Sequence, residues 1–295
     1  MIWVVVTLVA AAAQTARNAM QNSLTTTLGT LGATQVRFVF GWPFALAFLA
    51  VVTTVANSAA PAPTAWFLAF TAGGAVAQIL GTALMLGAMR AGSFSVATAF
   101  TKTEAVQIAL FGWLALGERL TTLRAVAIAI ATCGVALAAI KPSERFTVRS
   151  LRPALLGVAS GGLYALAAVG FRGGILQLPA GDYWLRASTT LAWALGIQAA
   201  LLGVWLALFS RDVLVRSLAL WRQSLFAGFM GAFASQFWFL GFSLTAAANV
   251  RTLALVEVLF AHAVGRKMFG QRLSFRQAAG MTLVVVGVAL LVVAV

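Results

Sequence analysis

Charged side chains are scarce in this chain of 295 residues, in which Asp, Glu, Lys and Arg together make up only 9%. Soluble globular domains carry about 25% charged residues, because a surface in contact with water needs them. Hydrophobic residues reach 62%. The composition therefore excludes a soluble enzyme, a nucleic-acid-binding module and a disordered chain, and leaves a membrane protein that crosses the bilayer several times.

Residues that bind metals or act as nucleophiles are also rare. The chain has one Cys and one His, and Cys133 lies in an apolar run, which excludes a disulfide and a Cys-based metal site. Both Asp residues, Asp182 and Asp212, fall between apolar stretches, and no HExxH motif is present. We therefore expect no catalytic residue, no metal and no cofactor, and we expect His262 to lie at the membrane interface.

Ten apolar stretches, each close to the 20 residues that span a bilayer, follow one another along the chain. They lie at 2–20, 34–56, 65–88, 94–116, 123–140, 153–176, 184–209, 219–243, 247–268 and 275–295. We predict an all-α integral membrane protein with ten transmembrane helices. Because the N-terminus lacks a basic region, we expect the first stretch to be a spanning helix rather than a cleaved signal.

The chain repeats part of its sequence at a distance of 153 residues. Equivalent residues recur without a gap, namely Glu104 with Glu257, Gly117 with Gly270, Arg119-Leu120 with Arg272-Leu273, and 134–137 with 287–290. Chance is the alternative, since all membrane helices share Ala, Leu, Val and Gly. The ungapped series favours two repeats, which we predict over 1–140 and 153–295, joined by a central loop at 141–152.

Five stretches per repeat is an odd number, so two directly joined copies lie in opposite orientations across the membrane. Such inverted repeats are typical of secondary transporters, which work by alternating access. The connections after odd-numbered stretches hold 14 Lys and Arg residues and the others hold five, among which we count Arg251. This bias predicts that both termini lie outside. These basic residues stand singly between apolar runs, so the net charge of +14 does not predict a nucleic-acid partner.

The stretches 103–138 and 256–291 resemble the end of an EamA domain, the repeat unit of the drug/metabolite transporter superfamily. The family pattern is a Glu, usually followed by Pro, and then Gly-Glu-Arg-Leu. This chain departs from it at Ala105, Val258 and Gln271. The resemblance, strongest to the YddG-type aromatic amino acid exporters, implies a ten-helix exporter of small metabolites, with an amino acid as substrate, in the inner membrane of a bacterium. We expect it to act as a monomer within the lipid bilayer.

Three ionisable residues stand out as candidates inside the predicted spans, namely Lys102, Glu104 and Glu257. Placing such a residue in a span costs about 2.5–3.5 kcal/mol, which favours a functional role. The glutamates could bind backbone or hydroxyl groups where the repeats pack, or serve proton coupling or substrate binding. Lys102 has no counterpart, since Leu255 is equivalent to it. It could bind substrate, pair with a nearby carboxylate or snorkel to the membrane interface, but on a continuous helix it points about 200° away from Glu104.

Amide and aromatic residues concentrate in the third, sixth and eighth predicted stretches, and the first carries a polar stripe. Together they suggest a cavity for an apolar side chain with a charged head group. The substrate-binding candidates are Gln14, Asn18, Gln78, Lys102, Tyr164, Gln236 and Trp238. Alternatively, the polar stripe marks the end of the first helix at the membrane interface, and the Phe residues face lipid or pack between helices. The resulting hypothesis is an amino acid exporter; the alternatives are export of other metabolites or cationic drugs and, more remotely, an intramembrane enzyme.

Overall fold

The computed structural model describes residues 1–91, 99–139, 148–260, 262–263 and 274–295. All regular structure in these ranges is helical, as expected where each segment must satisfy its own backbone hydrogen bonds in lipid. The helices are α1 (Ile2–Val39), α2 (Trp42–Ala56), α3 (Ala65–Ala91), α4 (Glu104–Leu116), α5 (Thr122–Ala139), α6 (Val148–Gln177), α7 (Tyr183–Phe209), α8 (Arg211–Ala219), α9 (Trp221–Leu244), α10 (Ala247–Leu253) and α11 (Phe275–Ala294).

Seven helical segments within the described ranges are long and apolar enough to cross a membrane. They are Thr34–Ala56, Ala65–Ala88, Thr122–Ala139, Leu151–Gln177, Tyr183–Phe209, Ser224–Leu244 and Phe275–Ala294. Each coincides closely with a predicted stretch, so the membrane class is confirmed. The first predicted stretch forms the shorter apolar helix Ile2–Arg17, and the stretches at 94–116 and 247–268 lie partly outside the described residues.

Three glycines at predicted breaks between stretches, Gly29, Gly117 and Gly181, adopt positive φ angles, which side chains with a Cβ rarely tolerate. Gly29 (φ +67°) interrupts the helical conformation inside α1 and separates the first stretch from the second. Gly117 (φ +65°) ends α4 in the left-handed conformation. The glycine of the repeated Gly-Glu-Arg-Leu motif therefore serves here as a helix terminator. Its counterpart Gly270 lies outside the described residues.

The chain forms two compact units. Unit 1 comprises Met1–Val76 and Gly170–Thr245, and unit 2 comprises Ala77–Val169 and Ala246–Val295. Each unit consists of one range from the first part of the chain and one range from the second. The two units are therefore not the same as the two predicted sequence repeats. Helices α3 and α6 each contribute residues to both units. The repeat boundaries predicted at 1–140 and 153–295 describe how the sequence repeats and not which helices pack together. They stay a prediction.

The core of unit 1 is rich in aromatic residues. Helix α9 packs on α1 and α7, and α2 also packs on α7. The ring of Phe229 contacts those of Phe44 and Phe233 at centroid distances of 5.3 and 5.9 Å, and Phe233 lies 4.9 Å from Phe237. Phe229 therefore packs against a ring of another helix, which is one of the alternatives considered from the sequence, whereas its contact with Phe233 and the contact of Phe233 with Phe237 lie within α9.

The core of unit 2 includes a close contact between α5 and α11. A Cβ atom on Gly280 would lie 2.6 Å from the carbonyl oxygen of Gly134, and one on Gly287 would lie 2.8 Å from that of Ala127. Small residues allow such approach, and it is a common way for membrane helices to associate. Gly134 and Gly287 are equivalent positions of the sequence repeat, so both repeats supply a glycine to this contact.

Substituting Gly280 with Ala is expected to separate α5 from α11 and to destabilise unit 2 by about 1–3 kcal/mol through overpacking. The midpoint of thermal unfolding of purified protein in detergent measures the effect. Gly73→Ala in α3 is the matched control, because a Cβ there meets nothing within 4 Å and alanine favours the helix. Equal midpoints for the two variants would contradict this account of the contact.

Candidate functional site

The two glutamates inside the predicted spans each follow a break in their helix. The chain turns at Lys102 and Thr103, and α4 begins at Glu104. In the second half, the 3₁₀ turn Ala254–Val256 directly precedes Glu257. The two breaks fall at equivalent positions of the sequence repeat. This corrects the expectation of a continuous helix through Lys102 and Glu104.

The break before Glu104 forms without a proline. Thr103 Oγ1 donates to the carbonyl oxygen of Phe100 at 2.6 Å, and such a local bond competes with regular helix. The amide of Val106 bonds to Thr103 O at 3.1 Å in the tighter 3₁₀ pattern. Each glutamate consequently lies at the start of a helical segment, where the helix dipole favours a negative charge.

Glu104 forms an ion pair with Arg251 of α10. The Nε and Nη2 atoms of Arg251 lie 2.7 and 2.6 Å from Glu104 Oε1. The side chains are only 7% and 20% exposed for Glu104 and Arg251, and charge-assisted bonds of this length are strong. Sequence reasoning missed this role, since it assigned Arg251 to a connection although the residue lies within the stretch predicted at 247–268.

Glu257 forms a second and looser ion pair with Lys102. The Lys102 Nζ atom lies 3.5 Å from Glu257 Oε2, and the side chains are 29% and 14% exposed. This distance is nearly 1 Å longer than that of the first pair. Lys102 therefore pairs with a carboxylate, which was one of the alternatives open from the sequence.

We call Lys102, Glu104, Arg251 and Glu257 the charge cluster. It holds two positive and two negative groups, so its formal charge is zero. Each glutamate pairs with a cation from the other half of the chain. Since an uncompensated charge in a membrane is costly, the pairing explains how all four groups can lie within apolar segments. Both cations lack a counterpart in the repeat, where Leu255 and Thr98 are equivalent to them.

A tyrosine and a threonine of unit 2 are joined by a hydrogen bond. The hydroxyl of Tyr164 in α6 donates to Thr82 Oγ1 at 3.0 Å, and Thr82 donates to the carbonyl oxygen of Gln78 at 2.9 Å. Tyr164 also lies within electrostatic reach of Arg251. Unit 2 thus contains three of the predicted substrate-binding residues, namely Gln78, Lys102 and Tyr164.

Helix α6 approaches the break before Glu104 through a glycine. A Cβ on Gly161 would lie 2.8 Å from the carbonyl oxygen of Thr101 and 3.2 Å from the Glu104 amide nitrogen. The amide of Gln107 bridges the same helices, with Nε2 at 3.0 Å from Thr103 Oγ1 and 3.2 Å from the Val158 carbonyl oxygen. These contacts hold the backbone that carries Lys102 and Glu104 in one position. A loop without such packing would not fix the positions of these two residues.

The remaining substrate-binding candidates belong to unit 1. Trp238 Nε1 donates to Gln14 Oε1 at 3.0 Å, and Gln236 Nε2 donates to Ser188 Oγ at 2.8 Å. Among the described residues, the buried Gln236 Oε1 has no hydrogen-bond donor. The side chain of Asn18 lies outside the described part of the structure. The assignment of these residues to a substrate site stays a prediction.

The described residues contain no group of three or more His, Cys, Asp or Glu placed to hold a metal ion. His262 is partly buried, and the basic stretch that follows it lies outside the described residues. Its predicted position at the interface is therefore not tested. The chemistry visible in the described part of the chain is ion pairing and hydrogen bonding within apolar helices.

Comparison with known proteins assigns the family. The sequence model of the EamA-like transporter family matches residues 1–140 and again residues 152–293. A solved structure titled "Crystal structure of protein" superposes with a TM-score of 0.75, covering 100% of this chain and 97% of its own. At 16% identity that likeness concerns the fold alone. No curated protein matches the chain. The double match of the family model shows that the chain belongs to the EamA-like transporter family and is a multi-pass membrane protein.

Proposed function

We propose that this protein exports amino acids with apolar, and above all aromatic, side chains across the bacterial inner membrane. The observation that carries the proposal is the charge cluster, which is formally neutral and contains one tight and one loose ion pair. A neutral site inside a membrane favours a ligand that brings equal positive and negative charge. The α-ammonium and α-carboxylate groups of an amino acid are such a pair.

Substrate binding exchanges the partners of the loose pair. The ammonium group of the amino acid binds Glu257, and its carboxylate binds Lys102. Every charge remains paired, so the exchange avoids the cost of leaving an isolated charge in a buried site. The tighter and more buried Glu104–Arg251 pair stays intact and keeps the two helix breaks in fixed positions relative to each other.

The alternative of a cationic drug as substrate agrees less well with the charge cluster. Each glutamate already has a cation within hydrogen-bond or ion-pair distance in unit 2. A bound cation would therefore add a net positive charge to a neutral group, and a metabolite carrying only a carboxylate would add a net negative one. An intramembrane enzyme is disfavoured because the family to which the chain belongs is one of transporters.

The other predicted residues supply contacts for the side chain and orientation of the substrate. Aromatic rings such as those of Tyr164 and Trp238 offer apolar surface with a polar edge. The Gln236 Oε1 atom is a buried acceptor that no described group occupies, so it has capacity for a donor from the substrate. We retain Gln14, Asn18 and Gln78 as further amide ligands.

We further propose ten transmembrane helices in two inverted repeats and transport by alternating access. Support comes from the two matches of the family model and from equivalent helix starts in the two halves. Thr121 Oγ1 accepts a hydrogen bond from the Arg124 amide at 3.4 Å, and the equivalent Ser274 Oγ accepts one from the Gln277 amide at 3.2 Å. The protein works as a monomer with both termini outside.

The proposal is tested by uptake into liposomes that contain the purified protein. The probes are radiolabelled phenylalanine, phenethylamine, which lacks the carboxylate, and 3-phenylpropanoate, which lacks the ammonium group. We expect saturable uptake of phenylalanine alone, and likewise of tryptophan. Threonine and lysine measure the preference for aromatic side chains. Runs with and without a pH gradient distinguish facilitative from proton-coupled transport.

Liposomes without protein are the control for passive entry of the probes. If a cationic dye and phenethylamine enter saturably while no amino acid does, the cation alternative is correct and the amino acid proposal is wrong. If the two single-charge probes enter as readily as phenylalanine, the neutrality of the charge cluster does not select the substrate.

A further inference from the structure

A short helix with exposed charges joins two spanning helices of unit 1. Helix α8 (Arg211–Ala219) follows α7 directly and precedes α9. Nine helical residues rise only about 13–14 Å, less than half of the hydrocarbon thickness of roughly 30 Å. Arg211, Asp212 and Arg216 are exposed on it, so α8 belongs in the interfacial layer rather than in the hydrocarbon core.

Large apolar side chains are uncovered along this connection. Val215 and Leu218 are 63% and 45% exposed, and Trp221 at the start of α9 is 49% exposed. Ser217 of α8 is buried, and the helix packs on α1 and α7. An exposed aliphatic pair followed by Trp is the pattern of a helix that lies in the membrane plane, with Trp at the level of the lipid headgroups.

The charges of the same segment favour anionic lipid. Between 211 and 222 there are three arginines and one aspartate. The aspartate pairs with Arg216, the Nε of Arg211 donates to the Ala207 carbonyl oxygen at 2.8 Å, and the Arg222 guanidinium lies 5.4 Å from the centre of the Trp221 ring. Each arginine stays exposed, so its remaining N–H groups are available to phosphate oxygens.

We infer that α8 and the start of α9 form a binding surface for the phosphate headgroups of anionic phospholipids. Val215, Leu218 and Trp221 enter the boundary between headgroups and acyl chains, and the three arginines contact the phosphates. The net positive charge of the segment gives the preference for anionic over zwitterionic lipid. This surface is independent of the substrate assignment.

The depth of the helix is measured with spin labels on single cysteines in a Cys133→Ala background, in bilayers that contain phosphatidylglycerol. Labels at Val215→Cys and Leu218→Cys are expected to be accessible to oxygen and shielded from an aqueous nickel complex. A label at Asp212→Cys, on the charged side of the same helix, is the control and is expected to contact the nickel complex. Equal nickel accessibility at all three positions would overturn the inference.

Headgroup preference is measured by lipid retention in native mass spectrometry of the full chain, with phosphatidylglycerol against phosphatidylcholine. We expect Arg211→Gln, Arg216→Gln and Arg222→Gln combined to lower the retention of phosphatidylglycerol by at least about threefold. Asp212→Asn raises the net charge and is expected to increase it. If neither variant changes the ratio of the two lipids, the arginines do not bind headgroups and the inference is wrong.

Discussion

Substituting Glu104 with Gln is expected to destabilise the protein by about 3–5 kcal/mol and to abolish transport, because Arg251 would lose its carboxylate in a buried site. Glu104 is among the buried polar residues and accepts both short contacts from Arg251. The pair also links the break before α4 to helix α10, so its loss affects both segments that carry the charge cluster. The midpoint of thermal unfolding and the initial rate of phenylalanine uptake measure the two effects.

Two control variants separate the loss of a buried charge pair from a general effect of mutation. Glu104→Gln combined with Arg251→Gln removes both charges and is expected to recover much of the stability, since no isolated charge remains. Asp212→Asn breaks the exposed pair with Arg216 and is expected to change the stability by at most about 1 kcal/mol. If Glu104→Gln is no less stable than Asp212→Asn, the Glu104–Arg251 pair does not hold the fold together.

Substituting Lys102 with Gln is expected to change the charge of the transported molecule rather than the fold. Its pair with Glu257 is longer and more exposed than the Glu104–Arg251 pair, so its loss costs less stability. The cluster then carries one negative charge in excess. We expect phenylalanine uptake to fall by about tenfold or more, equivalent to roughly 1.4 kcal/mol, and phenethylamine to become a substrate, because its ammonium group restores neutrality.

The converse change, Glu257→Gln, leaves one positive charge in excess and is expected to favour 3-phenylpropanoate. Lys102→Arg keeps the charge and is the conservative control, expected to retain phenylalanine transport. A protein that merely lost structure would not gain a new substrate, so the switch distinguishes a binding role from a structural one. If Lys102→Gln and Glu257→Gln both still transport phenylalanine with the selectivity of the unmodified protein, the loose pair does not contact substrate.

Much of the membrane architecture was predictable from the sequence, because the bilayer imposes a simple rule on composition. Segments such as Ala65–Ala88 and Phe275–Ala294 were located from their apolar runs alone, and the break at Gly29 falls between the stretches predicted at 2–20 and 34–56. The resemblance of 103–138 and 256–291 to the EamA domain was confirmed by the family model. These properties depend on residues that are close together in sequence.

The candidate site was predictable only in part. Lys102, Glu104 and Glu257 were identified because ionisable groups are costly in apolar segments, whereas Arg251 was assigned to a connection. The helix break at Lys102 and Thr103 was not anticipated either, since no proline or glycine marks it. It depends on the bond from Thr103 to Phe100 and on the close approach of Gly161, and sequence spacing indicates neither.

The sequence by itself determined that the protein lies in a membrane, that it repeats, and that a few charges lie within apolar stretches. The tertiary structure alone decided which of those charges meet. Glu104 pairs with Arg251, which is 147 residues away in the sequence, and Glu257 pairs with Lys102. Each glutamate therefore has its partner in the other half of the chain. Hydrophobicity is a sum over neighbouring residues and can be calculated from their order. Ion pairing depends on how distant helices pack, and only the folded chain brings those groups within reach.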